Sequence, residues 1–231
     1  MEQLYNGFTL EYSGDSFPLS TDSMLLASFA KLPKNAKVLD LGSGCGTLGV
    51  LLCAKDRSCQ VTGVEIDPAA HNAAVENIRR NGLEHRMESI CEDLRSLSRI
   101  GKTGIYHCCV SNPPYFSGGP LSKAHPTARR EDRCVPQELF DTAARALKFG
   151  GDFFLVHKPE KLAQLIGCGA KVGLEAKRLL LIRHRADSDI SLILLAFRKG
   201  GKPGLILEEA SLFDQNGEPT NFYKSVYHIN P

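Results

Sequence analysis

The chain has 231 residues, 42% apolar and 23% charged, with a formal net charge of +2. That is the balance of an ordinary globular protein with one sizeable core, and the charge alone does not mark a nucleic-acid binder. No apolar run reaches membrane-spanning length, and Met1–Gly7 lacks the basic and apolar regions of a secretion signal, so the expectation is a cytoplasmic protein without a membrane partner.

Residues 7–18 alternate apolar and polar around Gly14-Asp15, which predicts a small hairpin. Thr21 or Asp22 is placed to cap a helix running through Met24-Leu25-Leu26 and Phe29 to Lys31. Strands and helices then alternate. Strands are expected near 37–41, 60–65, 86–91, 105–111, 151–157, 175–183 and 190–198, and helices near 46–55, 68–81, 136–148 and 160–172. Pro68 suits the first turn of its helix and Gly82 the end. Gly150-Gly151 separates the third of these helices from the strand after it. Such alternation predicts an α/β fold, a doubly wound, mostly parallel, seven-stranded sheet. Only Ala186-Asp187-Ser188-Asp189 joins the last two strands, so these form an antiparallel hairpin that ends the sheet. No repeat or linker divides the chain. The expectation is a single domain over 1–231, with an N-terminal hairpin and helix (1–35), a catalytic core (36–200) and a C-terminal tail (201–231).

Ligands of such sheets bind beyond the carboxyl ends of the strands. Four polar features fall there. Val38-Leu39-Asp40-Leu41-Gly42-Ser43-Gly44-Cys45-Gly46 is an apolar strand entering a glycine turn, and glycine lets backbone approach a ligand closely. The second strand ends in Glu65, whose carboxylate can accept both hydroxyls of a ribose. Two registers compete: Gly44-x-Gly46-x-x-Gly49 fits a dinucleotide loop, whereas Asp40-x-Gly42-x-Gly44-x-Gly46 leads directly off the strand and fits a nucleoside loop. Asp93 follows the third strand, where it either binds a ligand or caps the next helix.

The fourth feature is Asn112-Pro113-Pro114-Tyr115, after the strand Ile105–Ser111. Neither proline has an N–H, so the ladder stops there. Their carbonyls, the Asn112 amide and the Tyr115 ring set hydrogen-bond acceptors beside a flat apolar face. That suits a planar group bearing an NH2, whose delocalised lone pair is a poor nucleophile until acceptors draw on its hydrogens. The plainer reading is a Pro-Pro turn with a capping asparagine.

Together these segments resemble the class I, Rossmann-like, S-adenosylmethionine-dependent methyltransferases that act on amino groups. Thr21-Asp22-Ser23-Met24-Leu25-Leu26, Ala128-Arg129-Arg130-Glu131, His157-Lys158-Pro159-Glu160-Lys161-Leu162 and Lys199-Gly200-Gly201-Lys202-Pro203 are similar to bacterial adenine-N6 methyltransferases of the anticodon loop of a valine tRNA. Lys158 departs from the arginine of that pattern, and lysine lacks its bidentate reach. The resemblance implies S-adenosylmethionine as cofactor, held by Asp40, Gly42, Ser43, Gly44, Glu65, Ile66, Asp93 and Leu94, with Asp93 accepting the cofactor's adenine amine. It implies catalysis by Asn112, Pro113 and Tyr115. It implies tRNA as partner, contacted by Pro114, Lys123, Arg129 and Arg130. Three rivals stand beside it: a glutamine-N5 protein methyltransferase, a nicotinamide-dependent oxidoreductase, and a non-enzymatic binding module.

The eight cysteines include no C-x-x-C pair, and several sit in apolar strand or helix patterns. Free thiols are expected and no metal site. Basic residues gather in three groups. Lys123, His125, Arg129, Arg130 and Arg133 follow the Asn-Pro-Pro-Tyr motif; Arg178, Arg183, His184 and Arg185 form a second group, and Arg198, Lys199 and Lys202 a third. The first flanks the proposed site, where a phosphate backbone must pass. His71, His85, His107 and His157 lack ligand-like spacing and are read as structural, with His228 exposed.

Overall fold

The computed structural model describes residues 2–4, 7–11, 19–96, 103–113 and 135–228. Two short strands, β1 (Glu2–Gln3) and β2 (Thr9–Leu10), pair antiparallel. The hairpin expected around Gly14-Asp15 lies outside the described residues. The main sheet holds β3 (Lys37–Leu41), β4 (Gln60–Glu65), β5 (Met87–Cys91), β6 (Tyr106–Ser111), β7 (Leu147–His157), β8 (Leu174–Arg185), β9 (Ile190–Lys199) and β10 (Ile206–Phe213). Its spatial order is β10-β8-β9-β7-β6-β3-β4-β5. Only the contacts of β9 with β7 and β8 are antiparallel. The helices are α1 (Thr21–Phe29), α2 (Thr47–Lys55), α3 (Pro68–Arg80), α4 (Pro136–Ala146), α5 (Leu162–Lys171) and α6 (Asn221–Val226).

The sheet is buried on both faces, so its central strands read as continuous apolar runs. Alternate residues supply two cores. Val38, Val61, Cys108, Val110, Phe154 and Leu194 face α1 and α2. Leu39, Leu41, Cys109, Phe153, Leu155 and Phe197 face α4 and α5. In the second core Phe140 of α4 meets Phe153 and Phe197 edge-on, with ring centroids 5.2 and 5.0 Å away.

Three expectations are corrected. The cap of α1 is Ser20, one residue before Thr21, and its side chain accepts the Ser23 N–H. Gly150-Gly151 does not separate α4 from β7, because the strand begins at Leu147 as the helix stops. The two glycines lie in an irregular stretch of β7: Gly150 has φ +77°, and a Cβ on Gly151 would meet the His107 carbonyl at 2.9 Å. The sheet has eight strands, because β10 of the expected tail joins β8 in parallel, so the β8–β9 hairpin is not its end. Leu212 of β10 and Val226 of α6 are both buried, which anchors this segment to the first core.

Lys55, at the end of α2, closes the carboxyl end of α1. Its Nζ donates to the carbonyls of Ala27, Ser28 and Ala30 at 2.8, 2.9 and 2.8 Å. A cation there satisfies orphan carbonyls and opposes the helix dipole. Lys55→Met is therefore expected to lower stability by about 1–2 kcal/mol, read by urea denaturation. An unchanged midpoint would show that water serves these carbonyls equally well.

Candidate functional site

From β3 the chain builds outward through β4 and β5, then crosses back to β6 on the other side of β3. The crevice beyond the carboxyl ends of β3 and β6 is thus the switch point of the sheet, where open α/β folds bind ligands. Ser111 bridges the two strand ends by donating its hydroxyl to the Leu41 carbonyl at 2.8 Å.

The loop after β3 turns through Gly42, Gly44 and Gly46 at φ +72°, +55° and +82°, values that favour glycine. Its amides are engaged within the protein. Gly42 and Ser43 both donate to the Val64 carbonyl at 3.0 Å, and Gly46 donates to Ser43 O at 2.9 Å. Gly44 donates to Glu65 Oε2 at 2.9 Å. A pyrophosphate needs such amides free, so the dinucleotide register loses its phosphate cradle. Gly49, its third glycine, instead packs against Met87 and Val61, and a Cβ there would meet Met87 Cε at 2.4 Å. Ser43 reaches its place because Gly63 has no side chain: a Cβ on Gly63 would lie 2.8 Å from Ser43 Oγ.

Beneath the loop, Asp40 is fully buried and its Oδ2 has no hydrogen-bond partner among the described residues; Ser43 Oγ has none either. Burial first, then the nearby Glu65 carboxylate, pushes the Asp40 carboxyl up to about 7, against the pull of the Gly49 N–H. Two unsatisfied buried polar groups under a glycine turn mark it as a candidate ligand-binding loop. Glu65 also accepts the Asp67 N–H at 2.8 Å, so one carboxylate ties the loop to the start of α3. There Asp67 caps the helix by accepting the Ala69 N–H at 2.9 Å, with Pro68 in the first turn. Ile66 beside it is exposed.

Asp93 is held differently. Both its oxygens accept from the Arg95 guanidinium, and Oδ1 also accepts the Arg95 N–H at 2.9 Å. The Arg95 contacts hold its carboxyl below the usual range despite some burial. Asp93 thus closes a turn on Arg95, and no helix follows it among the described residues up to Ser96. Leu94 packs on the second core, and its carbonyl accepts from Thr142 of α4 at 3.3 Å.

Across the crevice Asn112 ends β6, and Pro113 after it is buried. The Asn112 amide nitrogen donates to Ser23 Oγ of α1 at 3.0 Å. Its Oδ1 carries no hydrogen bond among the described residues. Pro114, Tyr115, Lys123, Arg129 and Arg130, with the rest of the first basic group, lie outside the described residues. Asp22, beside Ser23, is half-buried; burial raises its carboxyl and the Lys158 ammonium counters this. The Thr-Asp-Ser and His-Lys-Pro segments, distant in sequence, therefore come together here. Sequence reasoning noted both segments and missed that they meet.

Arg178, Arg183, Arg198 and Lys199 of the other basic groups are engaged structurally. Arg178 pairs with Glu208 at 2.8 Å and lies 4.3 Å from the Phe29 ring centroid. Arg183 pairs with Glu209 at 2.5 Å and Arg198 with Asp152 at 2.8 Å. Lys199 Nζ donates to the Leu147 carbonyl at 2.7 Å. Among the described residues no group of three His, Cys, Asp or Glu side chains is arranged to hold a metal, and no helix is long and apolar enough to cross a membrane.

A family model for the methyltransferase small domain matches residues 12–167. The chain belongs to that methyltransferase family. A relative from Bacteroides fragilis, named tRNA1(Val) (adenine(37)-N6)-methyltransferase, is 30% identical over 229 residues, covering 96% of each chain. One of the same name from Photobacterium profundum is 25% identical, over 93% of this chain and 91% of the relative. Among solved structures, a predicted O-methyltransferase from Agrobacterium tumefaciens superposes with a TM-score of 0.77 at 21% identity, over 90% of this chain and 96% of that one. A geranyl diphosphate C-methyltransferase from Streptomyces coelicolor superposes with a TM-score of 0.57 at 12% identity, over 77% and 78%. These two are likenesses of fold. Within the family match lie the glycine loop, Glu65, Asp93 and Asn112, all on one rim of the sheet.

Proposed function

We propose that this methyltransferase transfers a methyl group from S-adenosylmethionine to the exocyclic N6 amine of an adenine in a tRNA anticodon loop. One observation carries the reading: Asn112, whose Oδ1 has no hydrogen bond among the described residues, stands across the sheet's switch point from the glycine loop and Glu65. The names of the most similar relatives support the choice of RNA.

The residues fit the cofactor. The glycine turn admits an uncharged nucleoside rather than a phosphate, and Asp40 and Ser43 lie beneath it with polar atoms to satisfy. Each Glu65 oxygen accepts one backbone N–H and keeps a lone pair for a ribose hydroxyl. Ile66 offers an exposed apolar surface to the nucleoside base. For Asp93 to accept that base's amine, Arg95 must yield, and Arg95 has the exposure to do so, at 45% of its side chain. Bound there, S-adenosylmethionine supplies an electrophilic methyl group on a sulfonium.

The chain's own residues then prepare the acceptor. Asn112 Oδ1 and the Pro113 carbonyl accept the two amine hydrogens, localise the nitrogen lone pair and aim it across the crevice, which supplies orientation. Tyr115 stacks on the adenine, worth about 1–3 kcal/mol. An unpaired loop nucleotide turns out at a cost of a few kcal/mol. Pro114, Lys123, Arg129 and Arg130 hold the flanking RNA, a role that fits the structural engagement of Arg178, Arg183, Arg198 and Lys199. The proton leaves after transfer, so no strong general base is needed.

The deciding experiment incubates the protein and labelled methyl donor with total RNA, followed by digestion to nucleosides. Label in N6-methyladenosine is the expected result. Label in protein glutamine, with none in RNA, would replace this reading with the glutamine one. Glu65→Ala is expected to weaken S-adenosylmethionine binding about 10- to 100-fold, the loss of a charge-assisted ribose contact. Calorimetry reads this, and an unchanged Kd would remove Glu65 from the site.

A further inference from the structure

We infer that Ser23 is a positioning residue that fixes which face of the Asn112 amide meets the target amine. The inference rests on the reading of Asn112 as that amine's acceptor. An asparagine amide has two ends of nearly equal shape and opposite function: Oδ1 accepts and Nδ2 only donates. A carboxamide turned by half a rotation would set its NH2 against the NH2 of the base, donors facing donors. Something must therefore hold the nitrogen end.

Ser23 does so from the first turn of α1, where it is 6% exposed. Its Oγ receives Asn112 Nδ2 at 3.0 Å. Ser20 Oγ lies 3.2 Å from Ser23 Oγ, close enough to take the Ser23 hydroxyl proton. Ser20 Oγ also receives the Ser23 N–H at 3.2 Å, so the helix cap anchors the row. With the Ser23 proton directed at Ser20, the Ser23 lone pairs face Asn112 and demand a donor from it. Asn112 Oδ1, which has no hydrogen bond among the described residues, is left as the end that accepts. Ser23 reaches across 89 residues of sequence to do this. Its effect on the reaction passes through Asn112 alone.

The test is a double-mutant cycle read by steady-state kinetics on the unmethylated RNA substrate, with calorimetric S-adenosylmethionine affinity as the measure of an intact fold. Ser23→Ala is expected to lower kcat about three- to tenfold and leave both KM for RNA and cofactor affinity unchanged. In an Asn112→Ala background, which has no amide to orient, the same change should do nothing further. Ser23→Thr keeps the hydroxyl and is expected to retain most of the parent kcat. An equal fall in both backgrounds would overturn the inference, because Ser23 would then act independently of Asn112. A Ser23→Ala enzyme with parental kcat, beside an impaired Asn112→Ala enzyme, would overturn it too and leave the adenine reading standing. A fully active Asn112→Ala enzyme would sink that reading itself.

Discussion

Asn112→Ala is expected to lower kcat about a hundredfold or more, by analogy with the loss of one preorganised hydrogen bond in an active site. The loss falls on turnover because the partner of Oδ1 is the reacting amine. Affinity for S-adenosylmethionine should change little, since the glycine loop and Glu65 stand on the other side of the crevice. The fold should hold, as among the described residues the amide gives up one bond, that to Ser23. Measuring kcat on the RNA alongside cofactor calorimetry separates these effects. A variant that keeps most of its activity would rule out amine activation by this residue.

Asp40→Asn should change how stability depends on pH. The carboxyl is held near 7 in the fold against an ordinary 3.8. A raised carboxyl binds its proton more tightly when folded, so its contribution is harmless below about pH 4. It becomes progressively destabilising as pH rises, and the penalty is complete above about pH 7. Its full size is about 4 kcal/mol as an order of magnitude. Asparagine does not titrate, so the variant escapes the penalty. The stability difference between variant and parent should therefore shift in the variant's favour by about 3 kcal/mol between about pH 4.5 and pH 8, the rest of the penalty being already present at the lower pH. Urea denaturation of the ligand-free protein at both pH values reads it. Comparing the two pH values cancels any constant cost of the new NH2 in a site with no partner for it. A difference that ignores pH would mean Asp40 is ionised without penalty.

Much of this fold was legible because its signals are local. The central strands are apolar runs bounded by glycine and proline, and Pro68 and Gly82 bracket α3. The glycine loop and Asn112 could be read for the same reason: each is a few adjacent residues at a strand end. What escaped the sequence is mostly long-range. Residues 206–209, Ile-Leu-Glu-Glu, do not alternate, and they form a strand because β8 offers an open edge and Arg178 and Arg183 draw in Glu208 and Glu209. Those arginines read only as a basic group because their acidic partners lie about thirty residues away. Gly150 looked like a break because glycine marks both breaks and strand irregularities. The Ser23–Asn112 bond exists only once α1 packs over the end of β6.

The N-terminal strand is fastened to α3 by two asparagines one turn apart. Asn77 accepts the Glu11 N–H and donates to the carbonyls of Glu11 and Cys45. Asn81 exchanges the same pair of bonds with Thr9 at 2.8 Å each way. Asn81 is followed by Gly82, the pairing at which an asparagine ages fastest, when the glycine nitrogen attacks the side-chain carbonyl and ammonia leaves. In the fold that nitrogen donates to the Arg79 carbonyl at 3.1 Å, and both ends of the Asn81 amide are held. Ring closure must therefore wait for the N-terminal strand to lift away, an excursion of the kind that local unfolding permits. The carboxylate left behind cannot donate to the Thr9 carbonyl, so each event makes reattachment weaker. Isoaspartate at position 81 is therefore expected to accumulate with the time the strand spends undocked, which peptide mapping of aged protein would read.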